Sequence, residues 1–95
     1  MDTTVSGVGF TLDEDQTDLV NKKLERIKYA DDLIVSSSLK IKLDKKYYFN
    51  ATVNFRWGTQ ATVTADDFEF ATGLNKLIDV LDLKIKKEKD KIQQK

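Results

Sequence analysis

The chain has 95 residues, and its 16 basic and 16 acidic side chains leave no net charge. A chain of this length is expected to form one domain, here residues 1–95. Because it contains neither cysteine nor histidine, disulfide frameworks, thiolate or imidazole metal sites and histidine-based catalysis are excluded.

Other features narrow the functional class further. The apolar runs are too short to cross a membrane, and the opening MDTTVSGVGF lacks the features of a secretory signal, so we expect a cytoplasmic protein with no membrane partner. The adjacent pairs Asp31–Asp32 and Asp66–Asp67 fall at predicted element boundaries, where turn and capping roles explain them. The sequence therefore predicts a protein that is not an enzyme and holds no metal or cofactor.

The first third of the chain has the pattern of a strand followed by a helix. β-branched residues and glycines over residues 3–9 indicate the strand. Thr11 or Asp13 is expected to cap a helix whose first turns are acidic, as the helix dipole favours. The apolar face of this helix repeats at i, i+4 and i+7. It consists of Val20, Leu24 and Ile27. Asp31 and Asp32 are expected to end the helix.

Three strands are predicted in the middle of the chain. Apolar and polar residues alternate over residues 39–43, with residues 33–35 as an upstream extension, and again over residues 47–57. This period of two is typical of strands with one buried face. Residues 44–46 form the predicted turn between them. Gly58 lies in the next turn, where glycine can adopt a positive φ. A shorter β-branched segment, residues 60–65, completes the set.

The last third changes to a helical period. From Asp66 onward, the apolar residues recur at i, i+3, i+4, i+7 and i+11, which is typical of one buried helix face. They are Leu74, Leu77, Ile78, Leu81 and Ile85. Asp66, Asp67 and Glu69 are expected at the helix start. Gly73 lies inside the helix, where it costs about 1 kcal/mol relative to alanine, so we expect close packing against the sheet there.

The element order β-α-β-β-β-α predicts an α+β two-layer sandwich, in which two parallel helices cover one face of a four-stranded sheet. A right-handed crossover between the first two strands, followed by two short hairpins, makes both helices run in the same direction. Each helix begins with acidic residues and ends with basic ones. The basic halves of both helices are therefore expected near the same edge of the domain.

Basic residues are concentrated in the second halves of both helices. The helix dipole favours cations in the last turn, by about 0.3–1 kcal/mol per charge. The cations here exceed that need and extend a turn or more upstream, so they are candidates for binding a polyanion such as RNA, with affinity that falls as salt rises. The candidates are Lys22, Lys23 and Arg26 in the first helix and Lys84, Lys86, Lys87, Lys89 and Lys91 in the second.

Two segments resemble a known family. VSGVGFTLDEDQTDLVNKKLERIKYADD and the closing FATGLNKLIDVLDLKIKKEKDKIQQK, with its KEKDK ending, are similar to the first and last parts of the ribosome hibernation promoting factors. That family is also called ribosome-associated inhibitor A, protein Y or sigma-factor modulation proteins. The resemblance covers nearly the whole chain and corresponds to the short form of the family.

The resemblance implies a non-catalytic bacterial stress-response protein. Such a protein binds the small ribosomal subunit in the channel for messenger and transfer RNA, and it inhibits translation. The implied partner is ribosomal RNA and not DNA, and the implied state off the ribosome is a monomer. Lys23 and Arg26 correspond to basic positions of the family's first helix, and Lys87, Lys89 and Lys91 to basic positions of its last.

One outer stripe of the last helix departs from the family pattern. Lys76, Val80, Leu83 and Lys87 share one predicted outer face, and Val80 and Leu83 stand where the family has basic residues. Lys76 joins the candidate RNA contacts, and Lys84 and Lys86 can compensate from adjacent rows.

Other functions remain compatible with the sequence. A generic double-stranded-RNA-binding domain has a related layout, but such domains present a basic helix start, whereas the last helix is predicted to start with acids. A protein-interaction domain without an RNA partner would use Val80 and Leu83. On the solvent face of the sheet, Tyr48 and Arg56 are candidates for stacking on a nucleobase, although ordinary exposed strand positions explain them as well.

Overall fold

The computed structural model describes residues 2–93 of the chain and the side chains of residues 2–91. The predicted element order and the α+β class are confirmed. Residues 94 and 95, the end of the lysine-rich segment, lie outside the described residues. The elements are β1 (Asp2–Val8), α1 (Glu14–Leu24), a 3-10 segment (Glu25–Ala30) that continues α1, β2 (Ile34–Leu43), β3 (Tyr47–Phe55), β4 (Gln60–Asp67) and α2 (Phe70–Gln93).

The strands form one four-stranded mixed sheet in the order β1-β2-β3-β4. β1 and β2 are parallel, as the helical crossover requires, and the β2–β3 and β3–β4 pairs are antiparallel. One register row crosses the sheet from Val5 through Leu39 and Ala51 to Val63, and the last three of these side chains are buried. The alternation in the sequence thus turns one face of the sheet toward the core and leaves the other exposed.

The core lies between that face and the helices. The predicted stripe of α2 is almost completely buried, with at most 2% exposure. It consists of Leu74, Leu77, Ile78, Leu81 and Ile85. The first helical segment adds Val20 and Ile27, and the sheet adds Ile41, Phe49 and Val53. Burying one such side chain is favourable by about 1.5–3 kcal/mol, so the stripe of α2 is a main source of cohesion between the layers.

The start of α1 confirms one of the two predicted caps. Asp13 Oδ1 accepts a hydrogen bond from the backbone N–H of Gln16 at 2.7 Å. In return, Gln16 Oε1 accepts one from the backbone N–H of Asp13 at 3.1 Å. This reciprocal pair satisfies donors that a helix start otherwise leaves free. The helix tightens to 3-10 geometry after Leu24, but the chain stays helical to Ala30, next to the predicted end at Asp31.

The predicted start of α2 is wrong. β4 runs through Asp67, because its last two residues pair with the start of β3, and α2 begins only at Phe70 with no acidic residue in its first turn. Asp67 accepts a hydrogen bond from the backbone N–H of Glu69 at 2.9 Å. The ring of Phe70 packs edge-on against Tyr47, with 5.4 Å between centroids. Strand pairing and aromatic packing therefore set this boundary.

Two contacts show the relative direction of the helices. Arg26 Nη2 lies 2.7 Å from Asp79 Oδ1, and the hydroxyl of Tyr29 donates a hydrogen bond to Asp82. Arg26 and Tyr29 are three residues apart in the 3-10 segment, and their partners Asp79 and Asp82 are three residues apart in α2. The residue numbers increase in the same direction on both elements. The helices are therefore parallel, as predicted.

Gly73 marks a close approach between α2 and the sheet. A Cβ at this position would overlap the edge of the Phe49 ring. Phe49 is only 1% exposed, so its ring has little room to move away. The predicted reason for a glycine inside the helix is confirmed.

We expect Gly73→Ala to lower the free energy of unfolding. Alanine favours the helix by about 1 kcal/mol, but overpacking a filled core costs about 1–3 kcal/mol. The overlap with a buried ring puts the cost in the upper part of that range, so the net loss is up to about 2 kcal/mol. Urea unfolding followed by circular dichroism measures it. As a control, Leu83→Ala should be more stable than Leu83→Gly, because position 83 is exposed. Close packing is not the reason for the glycine if Gly73→Ala raises the free energy of unfolding by as much as Leu83→Ala exceeds Leu83→Gly.

The link between Tyr29 and Asp82 should make stability depend on pH. The hydrogen bond from Tyr29, and then the contact with Lys86 Nζ at 3.0 Å, hold the pKa of Asp82 below its ordinary value of 3.8. Burial and the neighbouring Asp82 raise the pKa of Tyr29. A carboxyl whose pKa is lowered by folding stabilises the fold above its unfolded pKa, and this contribution is lost as the pH falls through the folded pKa.

We therefore expect Tyr29→Phe to raise the pKa of Asp82 toward 3.8 and to lower Tm at neutral pH. The difference in Tm from the wild type should shrink as the pH drops below 3.8. NMR titration of side-chain carboxyls and thermal unfolding at several pH values measure both effects. Tyr48→Phe serves as the control, because Tyr48 is exposed on the opposite face of the sheet. A Tm difference that does not change with pH would show that the hydrogen bond to the carboxylate is not the cause.

Candidate nucleic-acid interface

The predicted cations of the first helix lie at its end. Lys22 and Lys23 are in the last turn of α1, and Arg26 is in the 3-10 segment. Val20 and Ile27 are fully buried and so orient this segment on the core. Lys22 and Arg26 are consequently exposed, and Lys23 is half-buried.

The cations of the two helices are staggered along the helix axes. The contacts of Arg26 with Asp79 and of Tyr29 with Asp82 set the register between the helices. In that register, Lys23 comes level with Lys76. Lys87 lies about 16 Å further along α2, at 1.5 Å per residue. The structure thus arranges the predicted basic edge as two staggered groups.

The lysines in the second half of α2 surround the helix. Each residue is rotated by about 100° from the one before. By this spacing, Lys86 and Lys89 lie on the side that faces the first helical segment, and Lys87 points outward. Lys84 and Lys91 lie on the opposite side. These lysines form a collar around the end of the domain and not a single stripe.

Carboxylates occupy part of this surface. Five of the nine predicted contacts form ion pairs: Arg26 with Asp79 at 2.7 Å, Lys76 with Asp67 at 2.7 Å, Lys84 and Lys91 with Glu88 at 3.7 and 3.6 Å, and Lys86 with Asp82 at 3.0 Å. An ion pair at the surface is worth about 0–1 kcal/mol, and this value applies best to Arg26 with Asp79, where both side chains are exposed. A phosphate can therefore compete for the cation, but each carboxylate reduces the positive potential that attracts it.

The lysines paired with Glu88 and Asp67 are the least available to bind a phosphate. Glu88 is only 6% exposed, and its carboxylate is shared by Lys84 and Lys91. The hydrogen bond with Asp67 raises the pKa of Lys76. The pKa of Asp67 is lowered, first by the backbone hydrogen bond from Glu69 and then by Lys76. Lys76 is thus tied to the end of β4, on the far side of α2 from the first helix.

Four predicted contacts form no ion pair within residues 2–91. They are Lys22, Lys23, Lys87 and Lys89. Lys28, in the 3-10 segment, is also exposed and unpaired within the same range, and it was not among the predicted contacts. The sequence could have indicated Lys28, because it lies in the basic half of the first helix, close to Arg26. Lys28 lines a hollow with Thr3 and Val5 of β1, so the four predicted lysines remain the best candidates to contact phosphates.

The predicted outer stripe of α2 is exposed. Val80 and Leu83 are 43% and 67% exposed, and Lys76 and Lys87 on the same stripe are exposed as well. Two apolar side chains therefore lie at the surface between two lysines.

The described part of the chain holds no group of three or more acidic side chains arranged to bind a metal ion. Within the same residues, no helix combines the length and apolar character that a membrane-spanning helix needs.

Residues 3–93 match the family model for Sigma 54 modulation protein / S30EA ribosomal protein. A ribosomal subunit interface protein from Coxiella burnetii has a similar structure, with a TM-score of 0.86 at 23% identity over 95% of this chain and 99% of that one. The N-terminal domain of Protein Y from Thermus thermophilus has a TM-score of 0.79 at 21% identity, over 92% and 98%. At these identities, the two structures support the fold alone. No curated protein gives a significant match.

The match to the family model extends over nearly the entire chain and agrees with the observed fold. The chain therefore belongs to the Sigma 54 modulation protein / S30EA ribosomal protein family.

Proposed function

We propose that the protein binds the small ribosomal subunit in the channel for messenger and transfer RNA and inhibits translation, as a non-catalytic hibernation factor of the bacterial cytoplasm. The family match over residues 3–93 carries this proposal. The names of the two similar structures, a ribosomal subunit interface protein and Protein Y, agree with it.

The unpaired lysines supply the chemistry of binding. Lys22 and Lys23 form one group and Lys87 and Lys89 the other, about 16 Å apart along the helix direction. Two groups at this separation can contact phosphates on two RNA segments at once. Each phosphate contact releases counterions, so affinity falls steeply with salt.

Rigidity gives the second part of the mechanism. Both groups are carried on helices that pack on the sheet through fully buried side chains such as Ile27 and Ile85. The domain is elongated, with extents of 45 × 20 × 19 Å. A rigid body of this shape occludes a channel by filling it, and ribosomal RNA is its partner rather than DNA. It needs no second copy to do so, so we propose a monomer off the ribosome.

We expect the double substitution Lys23→Glu with Lys87→Glu to abolish co-sedimentation with small subunits at low salt. Both lysines are unpaired, and each charge reversal turns an attraction to phosphate into a repulsion. Sedimentation through a sucrose cushion over a series of salt concentrations measures binding.

Lys45→Glu with Arg56→Glu is the matched control. It makes the same change in net charge, but it places the change in the turn after β2 and just after β3, and neither residue lies on a helix. This control should pellet like the wild type. If the Lys23/Lys87 variant also pellets like the wild type, the helix lysines are not the binding site.

Val80→Lys is expected to strengthen binding. Position 80 lies on the exposed outer stripe with Lys87, about 10 Å away along α2, and a new cation there adds a phosphate contact. The slope of log affinity against log salt should steepen by up to about one unit. Val80→Gln, which is polar but uncharged, is the control. An unchanged slope for Val80→Lys would place the outer stripe of α2 outside the RNA contact.

The exposed Val80 and Leu83 favour a second candidate function, docking of a protein partner without RNA. That function predicts no co-sedimentation with ribosomes even at low salt. It also predicts a partner that stays bound at high salt, because apolar burial is not weakened by screening. The salt series described for the lysine variants separates the two functions.

A further inference from the structure

The face of the sheet opposite the helices carries a second surface. Across β2, β3 and β4, Lys42, Tyr48 and Asp66 form one register row, and Lys40, Asn50 and Thr64 form the next. These six side chains line an open depression of about 450 Å³. The surface is separate from the helix lysines, because the sheet lies between them.

One exposed aromatic ring, Tyr48, lines this depression, and a second, Phe68, lies outside the lining, near Lys46. Tyr48 is 40% exposed and Phe68 is 75% exposed. Lys46 Nζ lies 5.5 Å from the centroid of the Tyr48 ring and 5.9 Å from that of Phe68. The same ammonium thus brings together two rings that the core does not use. A single exposed apolar residue is ordinary, but here one cation links two exposed rings, and unpaired bases stack on exposed aromatic faces.

The charges that line the depression favour an anion. Lys40 and Lys42 form no ion pair within residues 2–91, and they point to the same side of β2, about 6.8 Å apart along the strand. Asp66 is bound by Lys46, with 3.2 Å between Oδ1 and Nζ. Lys46 therefore neutralises the charge of Asp66 inside the depression, and the two free lysines give the depression a net positive charge.

We propose that this face binds single-stranded RNA. Its bases stack on Tyr48 and Phe68, its phosphates contact Lys40 and Lys42, and the amide of Asn50 faces the edge of a base. An exposed ring beside two free lysines on an open sheet, with a second ring just beyond the end of β4, suits a strand whose bases are unpaired. A duplex keeps its bases stacked inside and presents mainly phosphate and sugar, so it does not use the rings.

The inference is independent of the proposed function. Loss of ribosome binding through the helix lysines leaves this face intact, and the two tests use different ligands.

Fluorescence anisotropy with a labelled single-stranded oligouridylate of about 10 nucleotides, a length within the usual site size of one binding domain, tests the proposal at low salt. The wild type should bind it. Tyr48→Leu with Phe68→Leu keeps apolar bulk and every charge, and it should weaken binding at least about tenfold, since base stacking on aromatic rings is lost. For an RNA duplex of about 10 base pairs, the leucine variant should have the same affinity as the wild type.

Two controls locate the site. Val80→Ala with Leu83→Ala removes exposed apolar side chains from α2 and should leave binding unchanged. Lys23→Glu with Lys87→Glu should keep most of the affinity for the single strand.

Lys40→Gln with Lys42→Gln should flatten the salt dependence by about one to two units, and this variant decides the matter if circular dichroism shows that the leucine variant does not fold.

Three results would overturn the proposal. The wild type does not bind the single strand, the leucine variant binds it as tightly as the wild type, or the leucine variant loses duplex binding to the same extent. In the last case, the rings support the fold of the domain and not stacking on bases.

Discussion

The parallel pairing of β1 with β2 constrains where every cation on the helices can lie. Parallel strands need a crossover, and its right-handed form places α1 on the same face as α2. The two hairpins that follow fix α2 in the same direction as α1. The contacts of Arg26 with Asp79 and of Tyr29 with Asp82 then set how far one helix is displaced along the other. The stagger of the two lysine groups is a consequence of this register and not of either helix alone.

Ion pairing determines how much of the positive charge is available. The second half of α2 is rich in lysine, but Asp82 and Glu88 lie among the lysines and bind several of them. Glu88 is only 6% exposed, and its carboxylate lies within ion-pair distance of both Lys84 and Lys91. A count of basic residues therefore overstates the attraction to phosphate. Within residues 2–91, the unpaired part of the positive charge on the predicted contacts lies at Lys22, Lys23, Lys87 and Lys89.

Much of the fold could be predicted because periodicity reports burial directly. The alternation along β2 and β3 and the stripe from Leu74 to Ile85 each lie on the face predicted for them. Gly73 could be explained before its neighbour was known, because a glycine inside a helix is costly unless something approaches closely. The start of α2 could not be predicted, since Asp66 and Asp67 are good cap residues and only the pairing with β3 keeps them in a strand.

The candidate site was less predictable than the fold. Which lysines are unpaired depends on distances between side chains on different elements, such as Arg26 and Asp79, and a single sequence does not contain these distances. The pairing of Lys46 with Tyr48 and Phe68 depends in the same way on a turn and a strand end meeting in space. The identity of the basic helix halves was visible in the sequence, but their stagger and partial neutralisation were not.

The central claim is that unpaired lysines on both helices contact ribosomal RNA. Acetylation of lysines, quantified residue by residue with mass spectrometry in the presence and absence of small ribosomal subunits, tests this claim most directly. The account predicts that Lys22, Lys23, Lys87 and Lys89 become protected by the subunit, while Lys45, in the turn after β2, keeps its reactivity. Equal reactivity of the four helix lysines with and without the subunit, under conditions in which the protein is bound, would contradict it.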